Sequence, residues 1–333
     1  MLAGLAQLLA RYLLLAVAAV LLNFFIPRLL PGDPLTSSAG EGTDAAVPLS
    51  AAARERLHAY YHLDEPLGRQ LTLYLGDLGR GDLGRSVARS ESVGVLVMNR
   101  LPWTLGLLLV SLLVSAAAGT AAGVIAGWVP GRSRDQVLVS MAGALAAIPE
   151  FLIAIGLLAV FSVRLGWFPL FGGQTVFAGR EADTVGMLRQ ALDIAWHLAL
   201  PATTLALAGA AAFLLLTRDA IAGARRAPWL TTARAKGLRE RDVAMRHALP
   251  NVAIPLLTFF GLRLGTVLGG ALVIERVFGV PGLGLLGYEA IRARDYPLLQ
   301  ALFLLSSLGV LAANLLVDIA SLNLGSRRGP GRG

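Results

Sequence analysis

Thr231-Thr232-Ala233-Arg234-Ala235-Lys236-Gly237, followed nine residues later by His247-Ala248-Leu249-Pro250-Asn251, is a short, basic, Gly-interrupted segment. It lies between two long apolar stretches, near 196–217 and 251–274. Each is long enough to cross the roughly 30 Å hydrocarbon core of a bilayer as a helix. Outward from this pair lie four more such stretches, near 8–30, 102–128, 136–163 and 298–324. Six apolar spans predict an all-α integral membrane protein. The composition agrees: of 333 residues, 56% are hydrophobic and 15% charged, with a mean hydropathy of +0.67. A soluble protein of this length carries about a quarter charged residues. The first span follows Arg11, but the run Tyr12–Leu30 is too long for a signal-peptide h-region and no small-residue cleavage site follows. It is expected to remain as a span.

The net charge is +8, with a pI near 10.7. No basic stripe interleaved with aromatics occurs, so the excess cations do not point to nucleic acid. They collect in loops. Loop 218–247 holds seven Arg and one Lys against Asp219, Glu240 and Asp242. Arg132 and Arg134 lie between spans two and three, and Arg327, Arg328 and Arg332 lie in the tail. In 31–100, acidic residues outnumber basic ones. The positive-inside rule then places both termini and the 219–250 loop in the cytoplasm, with 31–100 outside. The expected organisation is an N-terminal span (1–30), a larger extracytoplasmic segment (31–100), a core of five spans (101–325) carrying the loop 219–250, and a disordered Gly/Arg tail (326–333). No internal repeat is evident. With no cysteine, disulfides and Cys-ligated metals are excluded.

Within the loop, 219–234 and 238–248 each read as a short amphipathic helix, with Gly237 between them. Gly237 permits a backbone geometry or close approach that a side chain would block. Ala233 and Ala235 are small enough for backbones to pack tightly. Pro250 suits the first turn of the next helix, where its missing N–H costs nothing.

At these residues the chain resembles the membrane subunits of ABC importers. Their coupling loop reads E-A-A, three residues, Gly, nine residues, a variable site, one residue, Leu-Pro. Arg234-Ala235-Lys236-Gly237-Leu238 and His247-Ala248-Leu249 are similar to the dipeptide/oligopeptide/nickel branch. Thr231-Thr232-Ala233 stands where E-A-A would, a departure common in that branch. Further patches in matching order are Pro31-Gly32-Asp33-Pro34, Leu63-Asp64-Glu65-Pro66-Leu67, Gly81-Asp82-Leu83-Gly84-Arg85-Ser86, Val277–Gly284, Ala293-Arg294-Asp295-Tyr296-Pro297 and Asn314-Leu315-Leu316-Val317-Asp318. Taken alone, Gly81–Ser86 reads as a turn without substrate contact. The branch's usual Asp-Pro-Arg ending is replaced by Leu324-Gly325-Ser326-Arg327.

The resemblance implies a type I ABC importer transmembrane domain in a bacterial inner membrane. It implies a second homologous permease as heterodimer partner, two cytoplasmic ATPases holding ATP and Mg, and an extracytoplasmic binding protein. Thr231, Thr232, Ala233, Arg234, Ala235, Lys236, Gly237, His247, Leu249 and Pro250 would then form the ATPase-coupling element. The cargo would be di- or oligopeptides, or alternatively nickel chelates or glutathione.

Polar groups inside spans are costly and usually face a cavity or one another. Glu150 follows Pro149 in the middle of span three, and Arg263 lies in the middle of span five. They are expected either to pair with each other or to line the path together with Thr258 and Asn314. Asn314 and Asp318 stand one turn apart on one helical face, placed for interhelical hydrogen bonds.

No G-x-x-x-x-G-K-[ST] phosphate loop occurs, so ATP hydrolysis is expected in partner subunits. Neither H-E-x-x-H nor G-x-S-x-G is present. The four His lie at 58, 62, 197 and 247, and no metal site or catalytic group is expected. His58 and His62 could share a helical face, a pattern more often fortuitous than metal-binding. A secondary transporter with Glu150 as proton site is the competing class. Inverted repeats and broken spans would mark it, and the sequence suggests neither.

Overall fold

A computed structural model describes residues 2–29, 65–175, 184–270 and 272–327. Pro31–Pro34, His58, His62, Leu63, Asp64 and tail residues 328–333 lie outside the described residues. The described residues are helical, without a strand; one isolated antiparallel bridge joins Arg85 to Ser92. In chain order the helices are α1 (Leu2–Leu29), α2 (Leu67–Gly79), α3 (Val93–Trp128), α4 (Ser133–Ala147), α5 (Glu150–Arg164) and α6 (Thr184–Ala224). Then follow α7 (Pro228–Ala235), α8 (Glu240–Asn251), α9 (Ala253–Gly270), α10 (Leu272–Phe278), α11 (Leu283–Ala293) and α12 (Tyr296–Arg327).

Among the described residues four helices are long and apolar enough to cross a membrane: Leu5–Ile26, Val93–Trp128, Gly186–Ala224 and Tyr296–Ile319. Two bent pairs bring the total to six if each is one span: α4 with α5, at 98°, and α8 with the Ala253–Leu264 part of α9, at 59°. The expected continuous helix through 136–163 is therefore corrected. Its break follows from Pro149. The residue before a proline is driven out of the α region, and Ile148 is extended at φ −89°, ψ 123°. Pro149 also lacks the N–H that would continue the ladder. Glu150 is consequently not mid-helix; it opens α5, where a carboxylate complements the helix dipole. A broken span, held above to mark a secondary transporter, thus has a local cause here.

The expected helix 219–234 is also two helices. α6 ends at Ala224, and Pro228 starts α7 from its first turn. Pro250 does not open the helix that follows the loop. It sits near the end of α8, just after a π-helical turn over Val243–Ala248. A widened turn accommodates a residue with no N–H and a bulky ring. Val252, at φ −99°, ψ 8°, makes the bend.

The chain forms two compact units. The first comprises Met1–Pro102 and Pro281–Leu311. Its core is Val93, Leu96, Val97, Leu283, Leu286, Ala290, Leu298, Ala301 and Leu302. α1 is fastened to α2 through Phe24, fully buried with its ring 5.4 Å from that of Tyr74. The Asn23 side chain donates to the Tyr74 hydroxyl, and Gln300 donates to the Asn23 carbonyl.

The second unit comprises Trp103–Val280 and Ala312–Gly333. Within it α3 approaches α6 closely, through glycines four residues apart. A Cβ on Gly119 would stand 2.5 Å from the Ala210 carbonyl oxygen. On Gly123 it would stand 2.5 Å from Thr217 Cβ, and on Gly127 2.5 Å from the Arg218 carbonyl oxygen. In lipid, where helices gain little from burying apolar surface against each other, such close approach supplies much of the attraction. Ser115 adds an interhelical hydrogen bond to the Ala206 carbonyl at 3.1 Å. Elsewhere in this unit Glu275 is fully buried and accepts from the Thr104 hydroxyl at 2.7 Å. Thr104 is buried as well, so the carboxylate is not left without a donor.

Candidate functional site

The loop between α6 and α9 is a packed element. α7 buries Leu230 and Ala233, while Thr231, Thr232, Ala235, Lys236 and Gly237 stay exposed. Leu230 and Ala233 join Val243, Ala244, Ala248 and Val252 of the following limb, Ile221 of α6 and Val124 of α3 in one cluster. Leu249 packs against the same cluster. The tight-packing role expected of both alanines belongs to Ala233 alone. His247 is half-buried and Pro250 exposed.

Gly237 adopts φ +75°, and a Cβ there would meet nothing within 4 Å. Backbone conformation, not close approach, requires the glycine. Its N–H donates to the Arg234 carbonyl at 2.9 Å, closing α7 and turning the chain toward α8.

Arg234 does not point away as a solvated loop charge. Its Nε donates to Glu240 Oε1 at 3.0 Å, and its guanidinium lies 5.5 Å from the centroid of the Trp128 ring. The Trp128 indole N–H donates to the other Glu240 oxygen at 2.9 Å. Glu240 therefore ties the end of α3 and the end of α7 to the start of α8. Singly, exposed ion pairs contribute little; here one carboxylate fixes three elements. Glu240→Ala is expected to raise backbone amide exchange over 231–238 several-fold. Global unfolding should move by no more than about 1–2 °C, the shift for roughly 1 kcal/mol in a chain this size. Unchanged exchange would remove the brace.

A second fixed point lies at the turn before α4. Asp135 accepts from Arg218 Nε at 3.0 Å and Arg218 Nη2 at 2.9 Å, and from the Gly131 N–H at 2.7 Å. The bidentate guanidinium–carboxylate geometry anchors the Pro130–Arg132 turn to α6. Spacing alone gives no sign of the Trp128–Glu240 and Arg218–Asp135 contacts, because the partners are 112 and 83 residues apart.

The residues expected along a path make separate contacts among the described residues. No hydrogen bond or ion pair joins any two of Glu150, Thr258, Arg263 and Asn314. The expected Glu150–Arg263 pair is thus not formed. Glu150 is exposed at the α5 N-terminus, and Arg263 is half-buried with its guanidinium 5.4 Å from the Phe259 ring centroid. Thr258 is exposed and returns its hydroxyl to the Ile254 carbonyl at 3.1 Å. Asn314 and Asp318 are half-buried on α12.

In the first unit two patches of the resemblance meet. Asp295, nearly fully buried, caps α12 by accepting from the Leu298 N–H. It also accepts from the Ser86 hydroxyl and from the Val87 and Ala88 N–H groups. Ser86 in turn accepts from the Arg89 N–H at 3.0 Å. The turn that positions Ser86 is set by Gly81 and Gly84, at φ +77° and +83°.

Membrane-length helices carry, on the loop between α6 and α9, a compact helical element with a packed inner side and an exposed outer side. The chain belongs to the family of binding-protein-dependent transport system inner membrane components, whose model matches residues 119–329. It is similar to the oligopeptide transport system permease protein AppB of Bacillus subtilis (strain 168), at 34% identity over 300 residues and 90% of each chain. It is also similar to the glutathione transport system permease proteins GsiC of Pectobacterium atrosepticum and Escherichia coli (strain K12). Each of these is 34% identical over 306 residues, 92% of this chain and 91% of the relative. The chain is a permease subunit of a bacterial binding-protein-dependent ABC importer, with the type I transmembrane fold; ATP hydrolysis belongs to other subunits.

Proposed function

We propose that this chain imports di- and oligopeptides, as one half of a heterodimer with a second homologous permease. Two cytoplasmic ATPases, with ATP and Mg, grip the α7–α8 element, and an extracytoplasmic protein delivers the peptide. Both termini and the 219–250 loop face the cytoplasm, in keeping with the cations concentrated there. Glu150, Thr258, Arg263 and Asn314 line the path once the second permease is present. The single observation that carries the coupling role is the docked α7, with Leu230 and Ala233 buried and Thr231, Thr232, Lys236 and Gly237 presented outward. A rigid inner side lets force on the outer side reach α3 and α6 through the shared cluster. The names of the relatives support a peptide cargo, and those of two of them favour glutathione, itself a tripeptide, as the second reading.

The test is ATPase activity of the chain co-purified with its neighbouring permease and ATPases, in liposomes. Binding protein is added with and without a mixture of di- to pentapeptides, then with glutathione. Stimulation is expected to need both binding protein and peptide. Gly237→Pro should abolish it, because proline holds φ near −65° where +75° is required and removes the N–H that closes α7. Stimulation by glutathione alone moves the cargo to the second reading. Failure to bind any ATPase would sink the coupling role of α7–α8.

A further inference from the structure

We propose that the elbow between α6 and α7 binds the phosphate of an anionic phospholipid headgroup. A cavity of about 470 Å³ opens there, lined by Pro130, Ala222, Gly223, Arg225 and Arg226. The Arg225 Nε is completely buried and has no hydrogen-bond partner among the described residues. A buried guanidinium N–H without an acceptor is costly. Arg226, exposed beside it, supplies a second cation.

The neighbouring carboxylates do not serve Arg225. Asp135 is taken by both Arg218 nitrogens and the Gly131 N–H, and Asp219 faces Arg218 Nη1 at 2.9 Å. The same bonds hold the Pro130–Arg132 turn, so the cavity has a fixed wall. It therefore presents a half-buried guanidinium with an unpartnered Nε, and an exposed one, to an acceptor that the described residues do not supply. A phosphate oxygen satisfies both, since guanidinium forks match phosphate geometry.

Depth chooses the source. The apolar stretch 196–217 ends at Arg218, and Arg225 and Arg226 follow about two helical turns later, on the polar side of that boundary. Basic groups between helices at that level attract anionic lipid. The apolar part of the lining, Pro130, Ala222 and Gly223, suits the glycerol that a free phosphate lacks. A lipid held there would fix the elbow from which α7 projects. The inference rests on the cytoplasmic placement of the loop only for the leaflet that supplies the lipid.

Native mass spectrometry of the full chain in mild detergent provides the test, with phosphatidylglycerol and phosphatidylcholine as probes. Wild type is expected to retain phosphatidylglycerol in preference to phosphatidylcholine. The pair R225Q/R226Q should bind it about thirtyfold more weakly, from roughly fivefold per cation. R241Q makes a charge change in the same loop at an exposed position and should leave retention unchanged. If R225Q/R226Q does not fold, R226Q alone should lose about fivefold, and R225K/R226K should retain the lipid. Equal retention in wild type and R226Q, or equal loss in R241Q, overturns the site. Complete displacement by millimolar inorganic phosphate makes soluble phosphate the ligand and overturns the lipid. Displacement by the partner ATPases assigns the arginines to a protein contact, and likewise overturns it. Lipid retention is read without transport, so its failure and that of the peptide-import reading are separate results.

Discussion

Gly123→Ala is expected to lower the stability of the detergent-solubilised chain by about 1–3 kcal/mol, the cost of overpacking a well-filled interface. Gly106→Ala on the same helix should leave it unchanged or raise it by up to about 1 kcal/mol. The two substitutions add the same methyl group to the same helix. At Gly106 nothing stands within 4 Å of the new carbon. At Gly123 it would lie 2.5 Å from Thr217 Cβ and 2.7 Å from the Leu214 carbonyl oxygen. Neither neighbour is the far end of a flexible side chain, so relief requires α3 and α6 to separate. Separation also stretches the Gly119 and Gly127 contacts and the Ser115–Ala206 hydrogen bond. Gly123→Leu should therefore leave little folded protein in the membrane. Thermal unfolding of the purified variants, with folded yield by size exclusion, checks the order. Equal behaviour of Gly106→Ala and Gly123→Ala would show that α3 and α6 do not pack as described.

The six apolar stretches were legible because hydropathy reports burial in lipid directly. Their interruptions are less legible: Pro149 and Pro228 are visible punctuation, yet apolar runs continue through one and helical periodicity through the other. The Gly119-Gly123-Gly127 spacing was also visible, but a hydropathy count passes over it, since glycine neither raises nor lowers an apolar run much. In the α7–α8 element the glycine and its spacing were legible, as was the smallness of Ala233. The Arg234–Glu240–Trp128 brace was not, because its meaning depends on α3 ending beside α7. For the path, sequence singled out Glu150 and Arg263 as costly in lipid. It could not say which neighbours each would find, and within one chain they do not find each other.

Asp295→Ala is expected to destabilise the first unit by about 2–4 kcal/mol: roughly 1 for the lost helix cap, and about 1–3 for buried donors left without an acceptor. Asp295→Asn keeps one carbonyl oxygen and should cost about half as much. Arg89→Ala removes only an exposed ion pair with Glu289 and should cost less than about 1 kcal/mol. The difference lies in burial. Asp295 is 1% exposed and serves the Ser86 hydroxyl and the Val87, Ala88 and Leu298 N–H groups, its bonds to Ser86 and Leu298 being buried. It therefore determines whether the 86–89 turn stays on the start of α12. Ser86→Ala should cost less than Asp295→Ala, since it removes one donor to the carboxylate and one acceptor for the Arg89 N–H. The double variant should cost less than the sum, because the hydroxyl left without its acceptor in Asp295→Ala is then gone. Chemical unfolding of the five variants measures this directly, and strictly additive losses would mean that Ser86 and Asp295 do not act as one unit. In the assembled complex Asp295→Ala should keep basal ATPase, since the turn lies in the first unit and α7–α8 in the second. Loss of basal ATPase would place the defect in assembly.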